Sequence, residues 1–249
     1  FAGEPGDVQK IYKFAKKNNL RVVEDAAHAF GSKYKNKLVG SFGDITCFSF
    51  DGIKNITAGE GGCIVTNDKK SLNYIKNARL LGVEGDTDKR KSGERSFNFQ
   101  VNYQGWRYHM SNINAAIGLV QLNKLDHFIS RRRWICEQYD NAFKELDFIT
   151  PLKINYEDVA PFMYIIRVPG KQTEFMEFLS ERGIGTGVHY IANHIHPLFR
   201  KYSSSDLPLT TRLWNEIVTI PLHCRLSDND VQKVIENVML FEGEISGKL

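Results

Sequence analysis

Two hydrophobic rhythms alternate along the first part of the chain. Val8, Ile11, Tyr12 and Ala15 fall at i, i+3, i+4 and i+7, the spacing that draws one apolar stripe down a helix. Asp7 stands where a capping residue belongs, so the pattern predicts a helix from there to about Asn19. Runs rich in β-branched residues over 20–24, 45–50 and 63–66 predict short buried strands. Asp68 then opens a second helix carrying Leu72, Ile75, Ala78 and Leu81. Strands alternating with helices predict an α/β layer with a largely parallel sheet. Over 82–103 the periodicity lapses into a polar stretch containing Gly82, Gly85 and Gly93. A loop of this length inside a compact protein is usually functional or mobile.

Ser111 is positioned to cap a long helix. Its apolar positions run through Ile113, Ala116, Ile117, Val120, Leu122, Leu125, Phe128 and Ile129, and on through Trp134, Ile135, Tyr139, Phe143 and Leu146. An unbroken helix of this length often joins two domains. Beyond Pro151 the pattern predicts a strand over 162–168, a helix over 173–182 stopped by Gly183, and a strand over 186–190. A helical stretch over 213–217, an extended Ile220-Pro221-Leu222 and a last helix from Ser227 to about Phe241 complete it. Ser227 and Asp230 stand at capping-box spacing. The expected division is a partial large domain over 1–125 and a small α+β domain over 126–249. Phe1 opens without an initiator Met and a turn-like Gly3-Glu4-Pro5-Gly6 follows at once, so the chain is expected to begin inside a domain.

Composition narrows the class. Hydrophobic residues make up 42% and charged residues 25% of the chain, which fits a folded enzyme and argues against disorder. A formal charge of +4 is mild. The longest basic run, Arg131-Arg132-Arg133, lies inside a helical pattern and is expected to be a solvated face. No basic-aromatic interleaving points to nucleic acid. Cys47, Cys63, Cys136 and Cys224 form no C-x-x-C pair, and reduced thiols suit the cytoplasm. No apolar run reaches the length of a membrane span.

Two segments carry the chemistry. In Glu24-Asp25-Ala26-Ala27-His28, Asp25 stands at the carboxyl end of a predicted strand, where open α/β sheets bind ligands. Taken alone, Asp25 reads better as a helix cap. In Ser49-Phe50-Asp51-Gly52-Ile53-Lys54-Asn55, followed by Gly59-Glu60-Gly61-Gly62, a lysine stands beside a glycine-rich turn. Its amine could attack an aldehyde, and the glycines would let backbone approach a ligand closely; an ordinary exposed loop lysine is the plain alternative. Pyridoxal phosphate (PLP) enzymes need both parts, an amine to form an imine and an acid to keep the pyridine nitrogen protonated. Asp25 and Lys54 could grip one cofactor from opposite sides.

These segments, with Gly40-Ser41-Phe42-Gly43-Asp44 and Cys47-Phe48-Ser49-Phe50, resemble the DegT/DnrJ/EryC1/StrS sugar aminotransferases. The likeness continues through Gly105-Trp106-Arg107-Tyr108-His109-Met110-Ser111 and Ala115-Ala116-Ile117-Gly118, and returns at Gly187-Val188-His189-Tyr190, His196-Pro197 and Ile220-Pro221-Leu222. The resemblance implies a fold-type I PLP-dependent α/β transferase, with the cofactor in the larger domain. It implies Lys54 as the Schiff-base lysine and proton carrier, Asp25 as partner of the pyridinium nitrogen, and Ser49 as a phosphate donor. His28 stands where the family usually has Gln against the phenolic oxygen. Arg107 stands where many members use Asn to reach the neighbouring subunit's phosphate; a surface ion pair is an equal reading. Asp51 replaces a usual aromatic or His and has no assigned role. His189 and Tyr190 are candidates for substrate contact, while the His189, His194 and His196 spacing lacks acidic or Cys partners and argues against a metal.

By the same resemblance, an amino acid, glutamate, donates its amine and a nucleotide-linked keto sugar receives it, for surface polysaccharide or a related glycan. The family is typically a homodimer with a shared site. A related sugar dehydratase, typically with His in place of Lys54, and a non-catalytic homologue binding a sugar nucleotide are the rivals. The family's amino-terminal third supplies a phosphate-binding turn and the ring that stacks on PLP, and no counterpart occurs in this sequence. The 249-residue chain alone is therefore expected to bind PLP weakly or not at all, and the full-length protein to bind it well. Absorbance of the bound cofactor, compared in the two, measures this; tight binding by the shorter chain refutes it.

Overall fold

A computed structural model describes residues 1–85, 92–93, 99–203 and 206–247. The chain divides into two compact units, Pro5–Leu125 and Asp126–Leu249, the latter including Phe1–Glu4.

In the first unit, α1 spans Val8–Lys17, with the Asp7 carboxylate accepting from the Lys10 N–H. Asn19 follows in the left-handed region at φ 53°. The strand expected over 20–24 forms later and shorter, as β1, Val23–Asp25. A two-stranded ribbon of β2 (Lys33–Tyr34) and β3 (Lys37–Leu38) precedes β4 (Ile45–Ser49) and β5 (Gly62–Thr66). The main sheet runs β1-β4-β5. β1 pairs β4 parallel and β5 pairs β4 antiparallel, so the expected parallel layer is mixed within this chain. The 63–66 run is not a buried strand in this chain: Ile64 and Val65, on its two faces, are both exposed. Next comes α2, Lys69–Ala78, with the Asp68 carboxylate accepting from the Lys70 and Ser71 N–H groups. Leu81, expected on this helix, lies beyond it at φ 63° and is exposed. Part of the polar 82–103 stretch lies outside the described residues; its flanks meet at an isolated Val83–Val101 bridge.

The single long helix divides in two. α3 spans Asn112–Leu122 and α4 spans Leu125–Phe143. Asn123 closes α3, its N–H reaching back to Leu119 and Gln121 carbonyls. The two helices differ in burial. Among the residues of α3 none is buried, whereas α4 buries Ile129, Arg132, Ile135, Cys136, Tyr139 and Phe143 along one stripe.

The second unit packs α4, α5 (Gln172–Glu181) and α8 (Asp228–Ser246) with an antiparallel sheet of β6 (Thr150–Pro151), β7 (Tyr164–Arg167) and β8 (Ile217–Ile220). Short helices α6 (Pro197–Arg200) and α7 (Pro208–Trp214) lie between. Register sorts the sheet into two faces. Tyr164 opposite Ile220 and Ile166 opposite Val218 enter the main core with Phe143, Phe175 and Phe241. The alternate face carries Met163 and Ile165, which pack with Ala2. The Phe162 N–H donates to the Ala2 carbonyl, and so Phe1–Glu4 belong here rather than with 5–125.

Three further expectations change. The 186–190 strand is one isolated bridge, Gly187–Thr219. The helix placed over 213–217 is α7, which starts earlier at Pro208, where proline suits a first turn; the β-branched 217–220 run is β8. The basic run is not a solvated face. Arg132 is buried, Arg131 donates to the Leu226 carbonyl and pairs with Asp228, and Arg133 donates to the Val159 and Glu157 carbonyls. These arginines tie α4 to loops whose carbonyls no strand satisfies. The Ser227–Asp230 capping box is present, and α8 continues past Phe241 to Ser246.

Within this core the Tyr164 hydroxyl donates to Asp140 at 2.6 Å. Burial pushes the Asp140 carboxyl up, the Tyr164 hydrogen bond opposes this, and Glu137 adds to it. A carboxyl raised in the folded state favours folding below its unfolded value, and that contribution is lost as pH rises through the folded value. Asp140→Asn keeps an oxygen for Tyr164 and has no charge to bury. It is expected to gain on wild type in urea unfolding as pH climbs from about 4 toward neutral. A stability gap that stays flat or shrinks over that range refutes this.

Candidate active site

The site begins with a register. In the parallel β1–β4 pair, Asp25 is opposite Cys47 and Glu24 is opposite Thr46. Paired residues share a face, and alternate residues along a strand return to it. Asp25, Cys47 and Ser49 therefore lie on one face, with the Asp25 and Ser49 backbones roughly 8 Å apart. The Cys47 thiol is pushed up, by burial first and then by the Asp25 charge, which agrees with that shared face. The opposite face carries Phe48, packed with Ala26, Ala29, Phe30 and Phe50. Edge-to-face contacts of Phe30 with Phe48 and Phe50 stiffen this floor.

The turn after β1 is self-supporting. The Asp25 carboxylate accepts from the Ala27 N–H at 3.1 Å, and the Ala29 N–H donates to the Ala26 carbonyl. Asp25 is exposed and His28, on the same turn, is half-buried.

Lys54 lies in the loop between β4 and β5. Phe50 closes this loop from within: its N–H donates to the Gly61 carbonyl, and its carbonyl accepts from the Ala58 N–H. Asp51 now has a role, since its carboxylate accepts from the Ile53 N–H and its carbonyl from the Lys54 N–H. Its own N–H donates to the Ser49 hydroxyl at 3.3 Å. Asn55 and Ile56 are buried, and the Asn55 amide donates to the Phe30 carbonyl. The half-buried Lys54 thus sits between an Asp-capped turn and a buried anchor. Gly62 has no room for a side chain, because a Cβ there would stand 2.4 Å from the Phe48 carbonyl oxygen.

The Gly40–Asp44 segment is architectural. A Cβ on Gly43, which is at φ 106°, would stand 2.4 Å from the Tyr12 hydroxyl. That hydroxyl donates to Glu24 and accepts from the Asp44 N–H. Asp44 takes a two-pronged contact from Arg21. This part of the motif fastens α1 to the sheet.

Arg107 is exposed, on an extended segment bridged to Leu80. Trp106 and Tyr108 on either side stack at 6.0 Å. His189 and Tyr190 belong to the second unit. His189 Nδ1 lies 2.9 Å from the Thr219 hydroxyl, and burial pushes its pKa down. His194 instead meets Thr211, at 2.9 Å. No group of three or more metal-type side chains occurs among the described residues. Among these residues no helix is long and apolar enough to cross a membrane.

Residues 1–239 match the model of the DegT/DnrJ/EryC1/StrS aminotransferase family. The chain belongs to this family. It is 36% identical to the spore coat polysaccharide biosynthesis protein SpsC of Bacillus subtilis, covering 96% of the chain and 64% of SpsC. The structure resembles Helicobacter pylori PseC, an aminotransferase of pseudoaminic acid biosynthesis, with TM-score 0.88 and 29% identity over 98% of this chain and 65% of PseC. It also resembles the PLP form of the Streptococcus pneumoniae sugar aminotransferase Spr1654, described as putative, with TM-score 0.86 and 26% identity over 98% of this chain and 67% of that one. The chain spans about two thirds of the length of the curated relatives it matches. The family is PLP-dependent and its fold is type I.

The residue types fit that cofactor: an acid and a hydroxyl share one face at the carboxyl ends of β1 and β4, and an amine stands in the glycine-containing loop that follows β4. Sequence reasoning missed Cys47 beside Asp25, although it was legible as the same-face neighbour of Ser49. Asp25→Asn removes the neighbouring charge and is expected to move the Cys47 thiol titration down, modestly, because burial is the larger cause. The rate of thiol alkylation against pH, followed at Cys47 by mass spectrometry, measures this. An unmoved titration would show that the two side chains do not share a face.

Proposed function

We propose that the full-length protein moves an amino group from an amino acid, glutamate, to the ketone of a nucleotide-linked sugar, for surface polysaccharide or a related glycan. The observation that carries this reading is the shared face of Asp25 and Ser49 at the mouth of the closed Lys54 loop. Family membership supports the reaction class. The polysaccharide role in the name of SpsC and the pseudoaminic acid role in that of PseC support a sugar acceptor. Residues 5–125 form the partial PLP-binding domain of this reading, and 126–249 together with 1–4 its small domain.

Bound PLP supplies an aldehyde for amine capture and an electron-withdrawing ring. Asp25 would hold a positive charge on the ring nitrogen by facing it with a carboxylate. Ser49 would donate to the phosphate, and His28 would face the phenolic oxygen. Lys54 would hold the cofactor through its side-chain amine, the group able to condense with an aldehyde, and would take up and release a proton at Nζ. His189, its ring held by Thr219, and Tyr190 contact the sugar substrate.

A homodimer suits the surface of the first unit. α3 presents Ile113 at 76% and Leu119 at 65% exposure, and Trp106 and Tyr108 are also exposed. Exposed apolar side chains of this size suit an interface. We assign it to a second copy, with Arg107 reaching that copy's cofactor phosphate through its planar fork. The four cysteines are free thiols, which suits the cytoplasmic setting of this reading.

Lys54→Ala in the full-length protein tests the core of the proposal. Amino transfer from glutamate to keto-sugar nucleotides is expected to fall on the order of a thousandfold or more. The visible absorbance of the lysine-bound cofactor should vanish while the circular dichroism stays unchanged. Retained transfer by a folded Lys54→Ala protein would sink the reading.

A further inference from the structure

We infer that Asn114 is the positioning residue of the lysine loop: its side-chain amide fixes the glycine-rich half of the loop, and so sets where Lys54 meets the cofactor. The inference rests on the reading of Lys54 given above.

The two halves of the loop are held differently. The Lys54 half has its own anchors, the Asp51 turn and the buried Asn55 and Ile56. The other half, 58–61, contains Gly59 at φ 78° and Gly61 at φ 151°. Glycines have no side chain with which to anchor and lose the most freedom on ordering. Two carbonyls of this half, Ala58 and Glu60, accept from a single donor, the Asn114 amide nitrogen, at 2.7 and 3.1 Å. One NH2 group carries two protons in fixed geometry, so it sets the spacing of both carbonyls at once.

Asn114 is itself fixed. The Ser111 hydroxyl donates to the Asn114 side-chain oxygen at 2.6 Å and accepts from the Asn114 N–H at 3.2 Å. The cap that starts α3 therefore also orients the amide toward the loop. Packing supports the same docking. Ala58 is fully buried, and a Cβ on Gly118 would meet the Ala58 Cβ at 3.5 Å. A Cβ on Gly61 would stand 2.5 Å from the Met110 Cε. The first turn of α3 is the surface against which the loop is moulded, and Asn114 is its polar contact.

Asn114→Asp separates positioning from mere structure. It has nearly the shape of asparagine, still accepts from Ser111, and adds a charge that suits a helix start. It loses both donated hydrogen bonds. In the full-length protein, PLP is titrated by absorbance, and the lysine-bound cofactor is trapped by borohydride and mapped by peptide mass. Wild type should carry the label on Lys54. Asn114→Asp and Asn114→Ala should each weaken PLP binding about tenfold or more and lower trapping at Lys54. Asn114→Asp should keep its thermal midpoint within a few degrees of wild type in the apo state. Unchanged PLP affinity and trapping in both variants, or a loss of thermal stability with PLP binding intact, overturns the inference alone. Absence of label on Lys54 in wild type overturns the reading of Lys54, and this inference with it.

Discussion

The parallel pairing of β1 with β4 fixes the candidate site more than any other contact. Asp25 opposite Cys47 means that a slip of one residue would turn the acid to the opposite face and Ser49 away from it. The floor of Phe48, Phe30 and Phe50 beneath the sheet resists that slip, because a shifted register would expose Phe48. The hydrophobic contact that stabilises the sheet is thus also what aims its chemistry. Tyr12, Glu24, Asp44 and Arg21 reinforce the same pairing from the α1 side with directional bonds.

From that floor the lysine loop is a problem in entropy. A glycine-rich segment can pass close to a ligand, yet it is costly to hold still. The chain solves this by using Phe50 as both floor and clasp. Its ring packs below the sheet while its N–H and carbonyl close the loop above. A functional site needs a rigid element behind a mobile-looking sequence, and here that element is β4 with the first turn of α3.

Much of this was legible in the residues and some was not. Caps at Asp7, Asp68, Ser111 and Ser227 could be read because they are local, needing only a short polar side chain before a periodic run. The places of Asp25 at a strand end and of Lys54 in a glycine-rich loop were local too, but their proposed roles came from the two segments taken together and from the family resemblance. The break between α3 and α4 was not legible, since Asn123 and Lys124 are tolerated within helices and apolar residues continue across them. The burial of Arg132 and its neighbours was hidden because sequence reports charge, while the carbonyls that receive Arg131 and Arg133 are loop groups without a sequence signature. β8 was misjudged because a short apolar run fits either period until its neighbours are known. Asn114 escaped notice because its partners are backbone carbonyls far away in the sequence.

The two units reach stability by different routes. The second closes on itself: Phe148, Phe175, Phe178 and Phe241 interlock, and the β7 and β8 side chains on that side are almost wholly buried. The first keeps large apolar side chains in the open, Ile11 and Phe14 on α1, Ile64 and Val65 on β5, and much of α3. Hydrophobic burial is the main favourable term in folding, so these faces are where the unit would gain most from being covered. Its candidate site lies on this less closed half, where the lysine loop is held by hydrogen bonds to backbone as much as by packing. Those bonds are directional and individually modest, which makes the loop's geometry sensitive to whatever contacts α3, the helix that carries both the exposed apolar face and the Asn114 amide.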